Sequence, residues 1–204
     1  MKLVNLDGLA LIGPDSEWFW SMLQFVIVAL TLYAIYRQVR LQGSTAAVEQ
    51  ASRLQGDWHS SERLIRSRLS VLEAIQDGLD PSTSARTAAS RVGNFWEQVG
   101  YLVRAGHVDE RLVYEYLGNS ARLWWAWLGP TVYRWRELEH EPKVEEHFEW
   151  LAHRVAEMDL AAGITNDYDE AYLRGLLPVL MRSHLDDIRT EEQMRAVIVQ
   201  PGAT

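Results

Sequence analysis

Residues 18–36 read WFWSMLQFVIVALTLYAIY and contain no charged side chain. As an α-helix, a stretch of this length would be roughly 28 Å long, close to the hydrocarbon thickness of a bilayer. Trp18 and Trp20 lie at one end of the stretch, and Tyr33 and Tyr36 lie at the other. Aromatic residues at both ends are typical of a helix that spans a membrane between its two interfaces. The stretch therefore predicts a transmembrane helix.

Two other interpretations of this stretch fit its sequence less well. A core helix of a soluble domain rarely stays apolar on every face over such a length. A cleaved signal peptide has a shorter apolar run that is followed by small residues, whereas Arg37 and Arg40 follow this one. We therefore predict an uncleaved anchor.

The charges beside the predicted span indicate its orientation. Arg37, Arg40 and Arg53 follow the span, and Lys2 precedes it. The positive-inside rule then places the C-terminal part of the chain in the cytoplasm and the N-terminus outside the inner (cytoplasmic) membrane. The predicted layout is an extracytoplasmic tail at 1–17, a transmembrane helix at 18–36, a stalk at 37–57, a helical bundle at 58–189 and a tail at 190–204.

The composition excludes several classes of protein. The chain has 204 residues, a net charge of −8 and no cysteine. The negative charge argues against a nucleic-acid-binding protein, and the lack of cysteine excludes disulfides, thiolate metal sites and a cysteine nucleophile.

The acidic side chains are concentrated in residues 137–170, which contain eleven acidic and two basic residues. Because anionic lipids repel such a surface, we expect it to point away from the membrane, with Arg53, Arg63, Arg66 and Arg68 nearer to the bilayer. The alternative is that the acidic run is an ordinary solvated helix face.

Beyond residue 43 the spacing of apolar residues predicts helices throughout. The expected fold class is all-α, with one N-terminal transmembrane helix followed by a stalk and a small cytoplasmic helical bundle. The expected core residues are Phe95, Trp96, Val99, Leu102, Phe148, Leu151 and Val155. The stalk is expected from heptad-like spacing at Leu41, Ser44, Val48 and Ala51. Two heptads are too few to predict a coiled coil.

Glycine and proline mark the expected ends of the helices. The expected ends are at Gly56, Gly78, Gly106, Gly118-Asn119 and Gly163, and the expected breaks or kinks are at Pro130 and Pro178. Pro142 is expected to begin the helix that contains Phe148.

A group of His and Glu residues near 137–153 is the best candidate for chemistry, since the chain has no phosphate loop, dinucleotide fingerprint or hydrolase motif. Within it, Glu146, Glu149 and His153 are weak candidate metal ligands that share one helix face. That face lies opposite the apolar face, which disfavours a buried metal site. We infer no catalytic residue and no cofactor.

Trp125 and Trp127 are the candidate interaction residues. In an unbroken helix that turns Trp124 and Trp135 toward the core, these two side chains would flank the core face about 160° apart. Either at least one of them protrudes and could anchor an interface, or the helix is enclosed on both sides.

Three stretches of the chain carry a resemblance. They read NLDGLALIGPDSEWFWSMLQFVIVALTLYAIYRQVRLQ at 5–42, VGNFWEQVGYLVRAGHVDERLVYEYLGNSARLWWAWLGP at 92–130, and PKVEEHFEWLAHRVAEMD at 142–159. They are similar to a family of bacterial single-span membrane proteins of unknown function. The resemblance implies an anchor followed by a small cytoplasmic helical domain, and it implies no catalytic residue and no substrate.

These features together predict a membrane-anchored helical interaction module, or an accessory subunit of a larger membrane complex. Its partners would be the lipid bilayer and a protein or a second copy of the chain, with no nucleic acid and no small-molecule substrate. A first alternative is a membrane-tethered enzyme that uses the His/Glu cluster near 137–153. A second is a sensor, although an outer tail at 1–17 is too short to form a ligand-binding domain.

Overall fold

The computed structural model describes residues 5–6, 9–10, 17–165 and 168–199, with the backbone alone at 5–6, 9–10, 39–46 and 195–199. Its helices are α1 (Glu17–Ser60), α2 (Glu62–Gln76), α3 (Pro81–Ser84), α4 (Arg86–Arg104), α5 (Glu110–Glu139), α6 (Glu146–Ala161) and α7 (Glu170–Val199). Two strands of two residues each, β1 (Asn5–Leu6) and β2 (Leu9–Ala10), form one antiparallel pair. The predicted all-α fold is confirmed.

The chain divides into two compact units, residues 1–46 and 47–204. In the first unit, the segment Glu17–Gln38 of α1 has the length and apolar composition of a membrane span, and none of its side chains is buried. The hydroxyl group of Thr31 donates a hydrogen bond to the backbone oxygen of Ile27 at 2.8 Å. A polar side chain in this segment is therefore satisfied within the helix. The alternative of a buried core helix is wrong.

The C-terminal part of α1 belongs to the second unit and contributes to its core. Ala51, Leu54 and Trp58 follow helical spacing, and each is less than 10% exposed. Gly56 lies between these residues within the helix and does not end it. The second half of the segment that the sequence assigns to a stalk is therefore part of the bundle, because these apolar side chains pack against the other helices.

The heptad-like positions do not form one uniform stripe. Val48 is exposed, whereas Ala51 is buried in the core. The side chains of Leu41 and Ser44 lie outside the described residues, as does most of the predicted tail at 1–17. In the predicted C-terminal tail, residues 190–199 continue α7, and residues 200–204 are not described.

An aromatic cluster forms the centre of the bundle. The ring of Trp96 in α4 lies 4.6 Å from that of Trp58 in α1 and 5.9 Å from that of Phe148 in α6. Burial of Trp96, Val99, Phe148, Leu151 and Val155 is confirmed, and Phe95 and Leu102 are partly buried against the same core.

Two glycines let α4 approach the beginning of α6 closely. A Cβ atom at Gly100 would lie 2.2 Å from the backbone oxygen of His147, and one at Gly93 would lie 2.5 Å from a carboxylate oxygen of Glu145. A third glycine, Gly118, brings α5 close to α6, since its Cβ would lie 3.2 Å from a methyl group of Val155. Small residues therefore set the spacing of these helices.

Three of the expected helix ends are confirmed. Gly78, Gly106 and Gly163 have φ values of 70°, 72° and 75° and follow the ends of α2, α4 and α6. This left-handed conformation is accessible to glycine at little cost. The glycine itself therefore determines where each of these three helices ends.

The expected helix end at Gly118-Asn119, the expected break at Pro130 and the expected interruption at Pro178 are wrong. Helix α5 continues through Gly118-Asn119 and Pro130, and α7 continues through Pro178. Leu128 and Val132, on either side of Pro130, are both 0% exposed. Their packing holds the helix together although proline removes one backbone hydrogen bond. Helix α6 begins at Glu146, not at Pro142, which lies in the connection before it.

A methyl group at Gly100 should destabilise the bundle. We expect Gly100→Ala to lower the free energy of unfolding by about 1–3 kcal/mol, because the backbone of His147 occupies the space. Chemical denaturation in detergent, followed by tryptophan fluorescence, measures the change. Gly56→Ala is the matched control in an open helical position, and it should stabilise the protein by about 0.5–1 kcal/mol. Equal effects of the two substitutions would contradict the close approach.

Candidate functional site

The predicted membrane-anchor residues are exposed on α1. Trp18 and Trp20 are 48% and 54% exposed near the start of the apolar segment, and Tyr33 and Tyr36 are 63% and 64% exposed near its end. Arg37 follows and is also exposed, whereas the side chain of Arg40 lies outside the described residues. The apolar segment therefore has its aromatic side chains at the two positions that the sequence predicts.

The candidate metal ligands do not converge. The carboxylate of Glu149 accepts hydrogen bonds from the hydroxyl of Tyr133 and from Nη1 of Arg136, each at 2.6 Å. The side chain of His153 is 3.8 Å from Glu149, and that of Glu146 is 3.8 Å from Arg104. In the part of the chain that the structure describes, no three His, Asp or Glu side chains are placed to hold a metal ion.

Glu149 joins α5 to α6. Burial acts to raise the pKa of this carboxyl group, but the hydrogen bonds from Tyr133 and Arg136 outweigh it, so that the pKa lies below its usual value. The group is therefore a charged carboxylate that is engaged by two side chains of α5. Its arrangement is that of an interhelical contact.

The remaining members of the His/Glu group lie at the end of α5. Glu137 and His140 are exposed, and His140 has the left-handed conformation that ends the helix. These two side chains therefore lie at a helix terminus.

The candidate interaction residues pack inside the bundle. Trp127 is 7% exposed, and its ring lies 5.3 Å from that of Trp124. Trp125 is partly buried, with its ring 5.0 Å from Phe148. Helix α5 is therefore enclosed on both sides, which is the second of the two alternatives, and neither indole is an exposed anchor.

A pair of carboxyl groups lies where α4 meets α6. The side chain of Glu97 accepts hydrogen bonds from the backbone N–H groups of His147 and Phe148, at 2.8 and 2.9 Å. It thereby caps the first turn of α6 from another helix. Glu145, which precedes α6 with a φ of 53°, is 7% exposed and lies against Gly93.

Glu145 is the more unusual of the two carboxyl groups. Its pKa is raised to about 8 by burial and by the charge of Glu97, and Arg136 acts in the opposite direction. Among the described side chains, neither Oε2 of Glu145 nor Nη2 of Arg136 has a hydrogen-bond partner, and both atoms are buried. The sequence did not identify this group, because it comes together only when α4, α5 and the α6 connection pack.

A second buried charged group lies between α1, α2 and α7. Arg68 is 3% exposed, and its Cζ lies 4.4 Å from the centroid of the Trp58 ring. Arg68 is therefore enclosed by the bundle and is not an exposed basic side chain that could face anionic lipid. Its neighbour Arg66 is exposed and pairs with Glu62 and Glu192 at 2.8 and 2.9 Å.

Two histidines and an aspartate lie within electrostatic reach of Arg68. His184 in α7 is 6% exposed, and its Nδ1 is 3.8 Å from Oδ2 of Asp187, which is too long for a hydrogen bond. Burial and the charge of Arg68 lower the pKa of His184 to about 4, and the same two causes lower the pKa of His59. Burial lowers the pKa of Arg68 itself to about 10, with Asp187 acting in the opposite direction. At neutral pH, Arg68 is charged and His184 is neutral.

Replacing Glu145 should change how stability depends on pH. Because its pKa is about 8 in the folded protein and near 4.5 otherwise, the folded state retains a proton that the unfolded state loses. Its contribution to stability is fully present below about pH 4.5 and is lost as the pH rises to about 8. Glu145→Gln has no carboxyl group at this position and therefore does not lose stability in this way as the pH rises. The difference in the free energy of unfolding between the variant and the wild type should change by about 1.4 kcal/mol per pH unit within that window.

Denaturation of both proteins at a series of pH values measures this difference. The exposed Glu137 provides the control, since Glu137→Gln should leave the slope of the wild type unchanged. Parallel curves for wild type and Glu145→Gln would show that Glu145 is ionised in the folded protein at neutral pH.

Part of the chain is similar to a known protein family. A family model described as a domain of unknown function (DUF4760) matches residues 21–155. No curated protein and no solved structure matches the chain. The matched region begins within the apolar segment of α1 and ends within α6, so it contains Arg68, Glu97 and Glu145, whereas α7 lies outside it.

Proposed function

The chain belongs to the DUF4760 family, and from its structure we propose that it is a membrane-anchored helical interaction module or an accessory subunit of a larger membrane complex. The proposal has two parts, attachment to a bilayer and association with a protein.

The observation that carries the proposal is the exposed apolar segment of α1. Its 22 residues, Glu17–Gln38, have no buried side chain, and Phe25 at its middle is 73% exposed. Exposure of such a surface to water is unfavourable, whereas a bilayer accommodates it. The same helix ends in residues that pack in the bundle, so that one secondary-structure element contains both the anchor and part of the folded domain.

The proposed location is the inner membrane of a bacterium, with the N-terminus outside and the bundle in the cytoplasm. Arg37, Arg40 and Arg53 support this orientation, because basic residues are retained on the cytoplasmic side.

Candidate polar residues near 137–153 are engaged in contacts between helices. Glu149 is engaged by Tyr133 and Arg136, and Asp159 of α6 accepts hydrogen bonds from Tyr114 and Arg122 of α5. These contacts join α5 to α6. An anchor also confines the domain to two dimensions, where a modest interface is enough to recruit a protein or a second copy.

A charge in the middle of the apolar segment should weaken membrane attachment. We expect Val28→Arg to increase the fraction released by carbonate, since an arginine at mid-bilayer opposes insertion by about 2.5–3.5 kcal/mol. Val48→Arg is the matched control, because Val48 is an exposed valine of the same helix beyond the apolar segment. It should leave extraction unchanged.

The same membranes test the orientation. In sealed inverted vesicles, protease should digest the bundle, and its protection would reverse the proposed topology. A wild-type protein that stays in solution without detergent would exclude the anchor.

The second part of the proposal predicts an assembly larger than one chain. After extraction in a gentle detergent, light scattering should give a protein mass above that of one chain, 23.4 kDa, from a second copy or a retained partner. Chemical cross-linking in intact membranes before extraction guards against loss of a weak complex. A single chain in both measurements would contradict the interaction role while leaving the anchor in place.

A further inference from the structure

Arg68 is a buried charge for which no described side chain or backbone atom is a hydrogen-bond acceptor. It is 3% exposed, and within 17–165 and 168–199, where the side chains of 39–46 and 195–199 are not described, its guanidinium group donates no hydrogen bond and forms no ion pair. Its Nε atom is fully buried. Removing a charged group from water without a partner is costly, so such a side chain calls for a ligand.

Trp58 accounts for only one face of the guanidinium. With Cζ at 4.4 Å from the ring centroid, the indole supplies a cation–π contact. The N–H donors of arginine lie in the plane of the group, however, and a ring stacked on the face leaves them without acceptors. The N–H groups at the edge of the guanidinium plane are therefore available to a ligand with two acceptor atoms.

The groups around Arg68 favour an anion over a cation. His184 of α7 and His59 of α1 are both shifted toward the neutral form by burial and by Arg68. Asp187 of α7 is within electrostatic reach, but it is half exposed, and its carboxylate lies 3.8 Å from Nδ1 of His184. The positive charge of Arg68 thus dominates the buried part of this cluster.

We propose that Arg68 is the binding residue of a carboxylate site formed by Trp58, His184 and Asp187 around its guanidinium group. A carboxylate is planar and presents two oxygens that match the arginine fork. It brings a single negative charge, so the carboxylate of Asp187 repels it less than it would repel a dianion. A phosphate dianion would place twice that charge beside Asp187, which disfavours it.

This site is independent of the membrane anchor, since all four residues lie in the unit 47–204. The carboxylate could belong to a free small molecule or to an acidic side chain of another protein, and both present the same chemistry. Arginine is enriched at interface hot spots. If the carboxylate belongs to another protein, its binding to Arg68 would make the association proposed above specific.

The test uses the full-length protein in detergent and acetate as the probe, with chloride at matched ionic strength as the reference. Acetate should raise the melting temperature of the wild type in a saturable manner, because it binds the folded state alone. In Arg68→Met the apparent affinity should fall at least tenfold. Arg66→Met is the matched control on the same helix, and its response to acetate should equal that of the wild type.

Arg68→Met should also fold, which keeps the experiment decisive. Without acetate its melting temperature should be at least that of the wild type, because an apolar side chain replaces an unpaired buried charge. A clear loss of stability in this variant, together with the same loss in Asp187→Asn, would mean that Asp187 is the internal partner of Arg68 and would overturn the proposal.

Asp187→Asn distinguishes these two cases further. If acetate binds beside Asp187, removing the like charge should tighten its binding roughly tenfold. Weaker binding in Asp187→Asn, or an acetate response that Arg68→Met shares with the wild type, would overturn the site. A stronger response to phosphate than to acetate would overturn the choice of ligand.

Two measurements, cross-linking and acetate binding, distinguish the two possible sources of the carboxylate. If it belongs to a protein, cross-linked assemblies should decrease in Arg68→Met and in the presence of acetate, but not in Arg66→Met. If it is a free molecule, acetate should bind in the same way while the assemblies stay unchanged. Either result supports the site at Arg68. An absence of saturable acetate binding, with assemblies also unchanged in Arg68→Met, would refute it, and a failure of membrane attachment alone would leave it standing.

Discussion

The ring of Trp96 lies between those of Trp58 and Phe148, and this contact joins α1, α4 and α6 at the centre of the bundle. All three residues are at most 1% exposed, and aromatic side chains of this size supply a large share of the apolar area that a small domain can bury. The close approach at Gly100 places the beginning of α6 against α4 and so brings Phe148 to Trp96. Loss of this contact would weaken the packing of all three helices.

The charged groups of interest are arranged around the same cluster. Trp58 is the ring on which Arg68 stacks, and the backbone N–H of Phe148 is one of the two that Glu97 caps. The burial that stabilises the aromatic rings also removes these charged or titratable side chains from water. That desolvation raises the pKa of Glu145, and among the described atoms none accepts a hydrogen bond from the buried Nε of Arg68. The apolar core and the unusual electrostatics of this domain are therefore two results of one packing arrangement.

The two units of the chain divide the proposed function between them. The segment Glu17–Gln38 has a surface suited to lipid, and the unit from residue 47 onward has a core, interhelical ion pairs and a buried arginine. An interaction module needs few reactive groups but a surface that is held in one geometry. The contacts of Glu149 with Tyr133 and Arg136 each join side chains of two helices.

The sequence by itself determined the features that depend on neighbouring residues alone. The apolar run at 18–36, the glycines that end α2, α4 and α6, and the spacing of Trp96, Val99 and Phe148 on apolar faces were all readable from it, because length, φ preference and helical periodicity are local properties. Tertiary structure decided the rest. Helix α5 continues through Gly118 and Pro130 because its two halves pack on one core, and that packing outweighs the local preference to stop. Arg68 has the same side chain as Arg66, and only the position of α1 and α7 makes one of them buried and the other exposed. In the sequence, Glu145 likewise looks like any other acidic residue. Its raised pKa results from its packing against Gly93 and from the charge of Glu97. Burial of a charge depends on side chains that are distant in sequence, and no local pattern encodes it.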